Sequence, residues 1–111
     1  MFLDTKTLMF SFAAAIQNKN IVLVRFQSKA DNQVLLRKCA PLDIAPSKRS
    51  KNKVFKFHLW NFTSGEKGHI LSLDPSQIID LVITVEKFKP EEFITWSTSN
   101  ASWCVERHWE I

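Results

Sequence analysis

The chain has 111 residues, of which 45% are apolar and 23% are charged, and its formal net charge at pH 7 is +4. This size and composition are typical of one globular domain, and nine Phe and four Trp supply enough apolar surface for a core to exclude intrinsic disorder. The sequence contains no apolar run of about 18 residues and no secretion-type start. We therefore expect a cytoplasmic protein that does not enter a membrane.

The first half of the chain predicts a helix followed by a hairpin. Asp4 or Thr5 is suited to cap the helix, because a short side-chain oxygen satisfies free backbone N–H groups. Ile21 to Phe26 is a β-branched run that predicts a strand, and turn-type residues 29–32 join it to a return strand, Gln33 to Cys39. Pro41 has no N–H to donate, so we expect the strand to end or to reach a sheet edge there. The apolar stripe of the helix consists of Leu8, Met9, Phe12, Ala15 and Ile16.

The second half predicts three more strands and a short helix. In the strand Val54 to Phe62, the residues Phe55, Phe57 and Leu59 alternate with Lys56, His58 and Trp60. A turn at residues 74–76 separates the strand His69 to Leu73 from the strand Ile78 to Glu86. Lys89 to Glu92 is a helix start, since Pro and carboxylates suit a first turn. The alternating tail, residues 103–109, is compatible with one further edge strand.

This order of elements predicts a mainly β fold of the α+β class, with residues 1–111 in a single domain. The strands follow one another closely and no βαβ unit lies between them. An N-terminal helix is therefore expected to pack on a small curved antiparallel sheet, or on an SH3-like or Sm-like barrel, of about five strands. A short C-terminal helix follows the last strand.

Five segments after the helix resemble the pattern of WYL-type domains, a family with a small Sm-like or SH3-like β fold. The segments are NKNIVLVRF, LLRKCAPLDI, VFKFHLWNF, HILSLDPSQIIDL and KFKPEEF. The matching positions are Phe26, Arg37 with Pro41, Phe55 with Phe57, and Leu73-Asp74 with Ile78. The chain departs from the family in having no Trp-Tyr-Leu triplet, in carrying His69 where the family has an arginine, and in an apparent insertion of Pro75 and Ser76. The resemblance implies a stand-alone module that senses a ligand or nucleic acid in transcription regulation.

Positive charge is concentrated in the first half of the chain. Residues 1–60 hold eleven Lys and Arg against three Asp and Glu, whereas residues 61–111 hold four against eight. Cations bind phosphates by releasing counterions, and an adjacent aromatic ring can stack on an unpaired base. We therefore predict a surface for nucleic acid or an anionic ligand, on which Trp60 stacks. Its members are Arg25, Arg37, Lys38, Lys48, Arg49, Lys51, Lys53, Lys56, His58, Trp60 and, through the resemblance, His69. The alternative is a solvated lysine-rich loop, with Trp60 in a second core.

Cysteine, histidine and carboxylate side chains follow no catalytic or metal-binding pattern in the sequence. Cys104 and His108 are the one closely spaced pair of permissible zinc ligands, and no C-x-x-C pair occurs. The chain also lacks a phosphate-binding P-loop and a dinucleotide-binding glycine motif. We therefore expect no metal, no cofactor and no enzymatic activity, and no disulfide between Cys39 and Cys104.

The last 16 residues contain Trp96, Trp103 and Trp109. Facing outward, these rings form an apolar patch suited to a homodimer through the C-terminal segment; facing inward, they close the core against the N-terminal helix. The charge split offers another route to self-association, in which the basic part of one copy meets the acidic part of another. Two functional hypotheses follow: a non-enzymatic ligand- or nucleic-acid-binding module with a regulatory role, and a structural adaptor that acts through homo-oligomer or protein contacts.

Overall fold

The computed structural model describes residues 4–29, 32–46, 55–62, 69–93 and 105. One helix packs on a five-stranded antiparallel sheet, as the sequence predicts. The elements are α1 (Thr5–Asn18), β1 (Asn20–Gln27), β2 (Val34–Pro46), β3 (Phe55–Asn61), β4 (His69–Leu73) and β5 (Ile78–Lys87), with 3₁₀ turns at Pro75–Gln77 and Pro90–Glu92. No helix among the described residues is long and apolar enough to cross a membrane.

Helix α1 is closed by a cap at each end. The Asp4 carboxylate accepts hydrogen bonds from the backbone N–H of Thr7 at 2.9 Å and from its hydroxyl at 3.0 Å, which confirms Asp4 as the cap. Lys19 ends the helix in the left-handed conformation, with φ of 57°, and its N–H donates back to the carbonyl of Ile16 at 3.2 Å. This cap turns the chain directly into β1.

The sheet has the strand order β4-β3-β2-β1-β5, and β2 is its long central element. The first half of β2 pairs with β1 as far as Cys39, and the second half pairs with β3 from Cys39 to Pro46. β2 continues through Pro41, so the first predicted alternative, a strand end, is wrong. The second, a sheet edge, is confirmed, because Pro41 lies beyond the last β1 partner and has a strand neighbour on one side only, which suits a residue without an N–H.

A short connection forces the sheet to curl. The two edge strands of a flat five-stranded sheet would lie about 19 Å apart, yet only residues 74–77 join β4 to β5. Five extended links span at most about 18 Å, and a 3₁₀ turn shortens that reach. Gln77 fastens the connection, because its Nε2 donates to the Gln27 carbonyl and its Oε1 accepts from the backbone N–H of Asp74, both at 2.9 Å.

The core lies between α1 and the inner face of the sheet. Phe12 and Phe57 are fully buried, and their rings meet edge to face at 4.9 Å between centroids. Phe57 and Leu59 are buried as the alternation of β3 predicts, but Phe55, at the first position of the strand, is 51% exposed. The helix stripe is also buried at Leu8, Ala15 and Ile16, whereas Met9 is 37% exposed.

The C-terminal part is only partly described. Where a short helix is predicted, the described residues form a single 3₁₀ turn at Pro90–Glu92. Residues 94–104 and 106–111 lie outside the described part, and with them the predicted edge strand and the three tail tryptophans. Val105 packs against the core, and its backbone N–H donates to the buried Asp43 carboxylate at 2.9 Å.

Replacing Phe12 with Ala is expected to lower the free energy of unfolding by about 3–5 kcal/mol, because it opens a cavity between helix and sheet. Phe10 is the matched control, since it lies on the same helix with 69% of its surface exposed. Phe10→Ala is expected to change stability by no more than about 0.5 kcal/mol. Urea unfolding followed by circular dichroism measures both values, and an equal loss in the two variants would contradict the orientation of α1.

Candidate functional site

The outer face of β3 carries Lys56, His58 and Trp60 in a row, as the alternation predicts. All three side chains are half-buried, because each is engaged by a neighbour. The His58 ring is bonded on both nitrogens: Nε2 donates to the Ala45 carbonyl at 2.9 Å, and Nδ1 lies 2.8 Å from the Ser72 hydroxyl. A carbonyl can only accept, so Nε2 carries a proton, and in the neutral ring Nδ1 then accepts from the Ser72 hydroxyl. His58 therefore joins β2, β3 and β4 and has no ring nitrogen left for a ligand.

Lys56 belongs to a cluster centred on the Asp74 carboxylate. Its Nζ lies 3.9 Å from one oxygen of Asp74, and the Lys29 ammonium pairs with the other oxygen. The hydrogen bond from Lys29, assisted by the positive charges of both lysines, holds the pKa of the Asp74 carboxyl below its usual value. The charge of Lys56 is thus partly neutralised within the molecule.

The Trp60 indole is stacked on a ring of the same chain. Phe93 lies parallel to it, with centroids 5.2 Å apart and an interplanar angle of 14°. Phe62 and Phe88 surround the same ring of Phe93, at centroid distances of 5.7 and 5.9 Å. Trp60 therefore anchors the segment 88–93 to the sheet, and one face of its indole is covered.

The three cations of the hairpin do not share a face. Cross-strand partners lie on the same side of a sheet, so Lys38, opposite Leu23, and Arg25, opposite Leu36, both lie on the outer face. Arg37 lies opposite the buried Val24 and so belongs to the other side, where its Nη1 donates to the Leu36 carbonyl at 2.9 Å. The register therefore separates Arg37 from Lys38 and Arg25, and it does not support the predicted inclusion of Arg37 in one basic surface with them.

The remaining predicted site residues are only partly described. Lys48, Arg49, Lys51 and Lys53 lie outside the described residues. His69 lies at the first position of β4, opposite Asn61, and its side chain is also outside the described part. The structure therefore joins Lys56, His58 and Trp60 on β3, places Lys38 and Arg25 on the outer face of the hairpin, and leaves the contribution of the loop a prediction.

A pocket of about 310 Å³ opens between the outer face of the sheet and the segment that follows β5. We call it the Lys–Phe pocket. Aromatic and aliphatic residues form part of its wall, and three lysines form another part. Its lining residues are Ile21, Lys38, Phe62, Lys87, Phe88, Lys89, Glu92 and Phe93.

The backbone holds the lysines of the Lys–Phe pocket in place. The N–H of Phe88 donates to the Lys19 carbonyl at 2.9 Å, and Lys87 Nζ donates to the Asn18 carbonyl at the same distance. Lys38 Nζ forms an ion pair of 2.8 Å with Glu86. Lys89 is exposed at the rim. The described lining therefore combines an apolar wall with three lysines and one acidic residue, Glu92. Because Glu86 pairs with Lys38, the excess of positive charge comes from Lys87 and Lys89.

Lys38 is the one described lining residue that belongs to the surface predicted from the sequence. Lys87 and Lys89 flank the buried Phe88 in the segment EKFKP, whose last two residues belong to the predicted helix start, Lys89 to Glu92. The alternation of Lys, Phe and Lys was the available signal, because in an extended segment it sends one apolar ring inward and two cations to the rim. Without the fold, nothing indicated that this segment crosses the sheet beside Lys38.

The described residues contain no group of three or more His, Cys, Asp or Glu placed to hold a metal ion. Cys39 is a free thiol that is fully buried, and burial raises its pKa to about 12, against a smaller opposing effect of the Arg37 charge. At neutral pH this thiol is protonated and inaccessible, so Cys39 is a core residue and a poor nucleophile.

Comparison with protein-family models, with curated proteins and with solved structures finds no match to this chain. The resemblance to WYL-type domains therefore stays a prediction.

Burial of Cys39 predicts a slow reaction with Ellman's reagent. In a Cys104→Ala variant, which has one thiol, labelling at pH 8 in buffer is expected to be on the order of a hundredfold slower than in denaturant, because the thiol is reached only by opening of the core. Absorbance of the released thiolate measures both rates. Comparable rates in a protein that circular dichroism shows to be folded would contradict the packing of Cys39.

Proposed function

We propose that this chain is a non-enzymatic binding module that holds a small organic anion in the Lys–Phe pocket. The single observation that carries the proposal is the placement of Lys38, Lys87 and Lys89 around one apolar, aromatic wall. Small-molecule sites are mostly apolar concavities of about 300–1,000 Å³ with a few polar groups that fix orientation. A ligand with a planar or branched apolar body and one carboxylate, sulfonate or phosphate group suits such a wall and rim.

The same observations give less support to a nucleic-acid strand. Trp60, the ring predicted to stack on a base, has one face against Phe93. Both ring nitrogens of His58 are hydrogen-bonded to protein partners, and the ammonium group of Lys56 lies beside the Asp74 carboxylate. A small anion needs none of these side chains, because it is held by the separate set of lysines beside Phe62, Phe88 and Phe93.

A ligand-binding pocket accords with the sensing role that the resemblance to WYL-type domains implies. The same resemblance supports an extension of the proposal, namely a regulatory function in the cytoplasm. Binding would then act through the segment 88–93, because that segment contributes Phe88, Lys89 and Phe93 to the pocket and is held to the sheet by Trp60.

The proposal predicts selective binding of an aromatic anion. Naphthalene-2-sulfonate is expected to shift the ring resonances of Phe62, Phe88 and Phe93 in NMR titrations, whereas the neutral, nearly isosteric naphthalene-2-sulfonamide binds more weakly. Lys89→Gln is expected to weaken sulfonate binding about fivefold, which corresponds to ~1 kcal/mol for one partly solvated ammonium group.

Lys6→Gln is the matched control, because Lys6 is exposed on α1 and does not line the pocket. It is expected to leave the sulfonate affinity unchanged. Equal affinities for sulfonate and sulfonamide, or shifts confined to residues away from the pocket, would contradict the proposal. Stronger and salt-dependent binding of a single-stranded oligonucleotide would favour the nucleic-acid hypothesis instead.

A further inference from the structure

The outer face of β1, β2 and β5 contains a second surface, which is separate from the Lys–Phe pocket. The strand register places Leu36, Arg25 and Asp80 in one row across the three strands. Val82 lies opposite Leu23 in the row on one side, and Val34 lies in the row on the other. We call this surface the Arg25 face, since Arg25 occupies its centre.

The Arg25 face exposes more aliphatic surface than a solvated sheet face needs. Val34 is 58% exposed, Leu36 is 51% exposed and Val82 is 49% exposed, and they lie on neighbouring strands around one arginine. The solvent side of an antiparallel sheet is commonly polar, and clustered aliphatic residues there mark contact sites. Their exposure shows that no other described element covers these side chains.

The charges of the Arg25 face are balanced. Arg25 lies directly opposite Asp80, and the neighbouring Lys38 is paired with Glu86 at 2.8 Å. The cations come from β1 and β2 and the carboxylates from β5, so the basic and acidic parts of the sequence meet on one surface. A nucleic acid or an anionic membrane requires an excess of cations, which this face does not have.

We propose that the Arg25 face is the contact between two copies of this chain, related by a twofold axis. An isologous contact requires a self-complementary patch, and Arg25 beside Asp80 satisfies that requirement: each arginine meets the aspartate of the other copy. Leu36, Val34 and Val82 supply apolar surface around the two ion pairs.

The test is the molar mass of the full chain in solution, measured by sedimentation velocity from about 1 to about 500 µM, a range that brackets a micromolar dissociation constant. The weight-average mass of the unmodified chain is expected to rise with concentration from 12.9 kDa towards twice that value. Leu36→Lys is expected to raise the dissociation constant at least tenfold.

Ile70→Lys is the matched control, because Ile70 is also 51% exposed but lies on β4, away from the Arg25 face. It is expected to leave the dissociation constant unchanged. Association that Ile70→Lys abolishes and Leu36→Lys does not would overturn the proposal, as would a chain that stays monomeric over the whole range.

Charge reversal at Arg25 and Asp80 tests the proposed ion pairs. The double variant controls for a loss of affinity that misfolding of a single variant would cause. Arg25→Asp and Asp80→Arg are each expected to weaken association at least tenfold, since like charges then meet across the twofold axis. The double variant restores the pairing and is expected to recover an affinity within about threefold of the unmodified chain. Failure of the double variant to recover, in a protein with an unchanged melting temperature, would overturn the self-complementary arrangement.

Discussion

Phe93 stacks on Trp60 at 5.2 Å, and this contact holds the segment 88–93 against the outer face of the sheet. The segment leaves β5 at an edge of the sheet and needs an anchor to cross the neighbouring strands. The buried Phe88 and Phe93 supply it, and the Phe88 N–H adds a hydrogen bond to the end of α1. Because the segment crosses beside Lys38, its own Lys89 and the preceding Lys87 complete the Lys–Phe pocket. Without the stack, the wall and the rim of the pocket would belong to two unconnected surfaces.

The two faces of the sheet are covered differently. The inner face is closed by α1, where the rings of Phe12 and Phe57 meet and are both fully buried. The outer face is divided: the segment 88–93 covers one part and forms a pocket, and the Arg25 face stays open with aliphatic residues among balanced charges. A domain of this size has a small surface, so the proposed ligand site and the proposed assembly site lie close together on the same sheet. The ion pair of Lys38 and Glu86 lies between them.

The helix and all five strands followed from periodicity, because a stripe of apolar residues at helical spacing and an alternating strand each permit one burial pattern. Pro41 does not end β2, because a proline prevents pairing only on the side where its N–H would donate. The site was harder to predict. Residue type identified Lys38, but the side to which Arg37 points depends on its register with Val24, and the partners of His58 come from two other strands. Lys87 and Lys89 gained a role only through the tertiary path of the chain after β5.

NMR measures directly whether the segment 88–93 is docked on Trp60. In protein with isotope-labelled Phe and Trp, nuclear Overhauser contacts are expected between the ring protons of Phe93 and the indole protons of Trp60. Phe12 and Phe57, with centroids 4.9 Å apart in the core, provide the internal reference for a contact of similar distance. Strong contacts for both pairs are the predicted result. A clear Phe12–Phe57 contact with none between Phe93 and Trp60 would contradict the docking, and with it the pocket on which the proposed function depends.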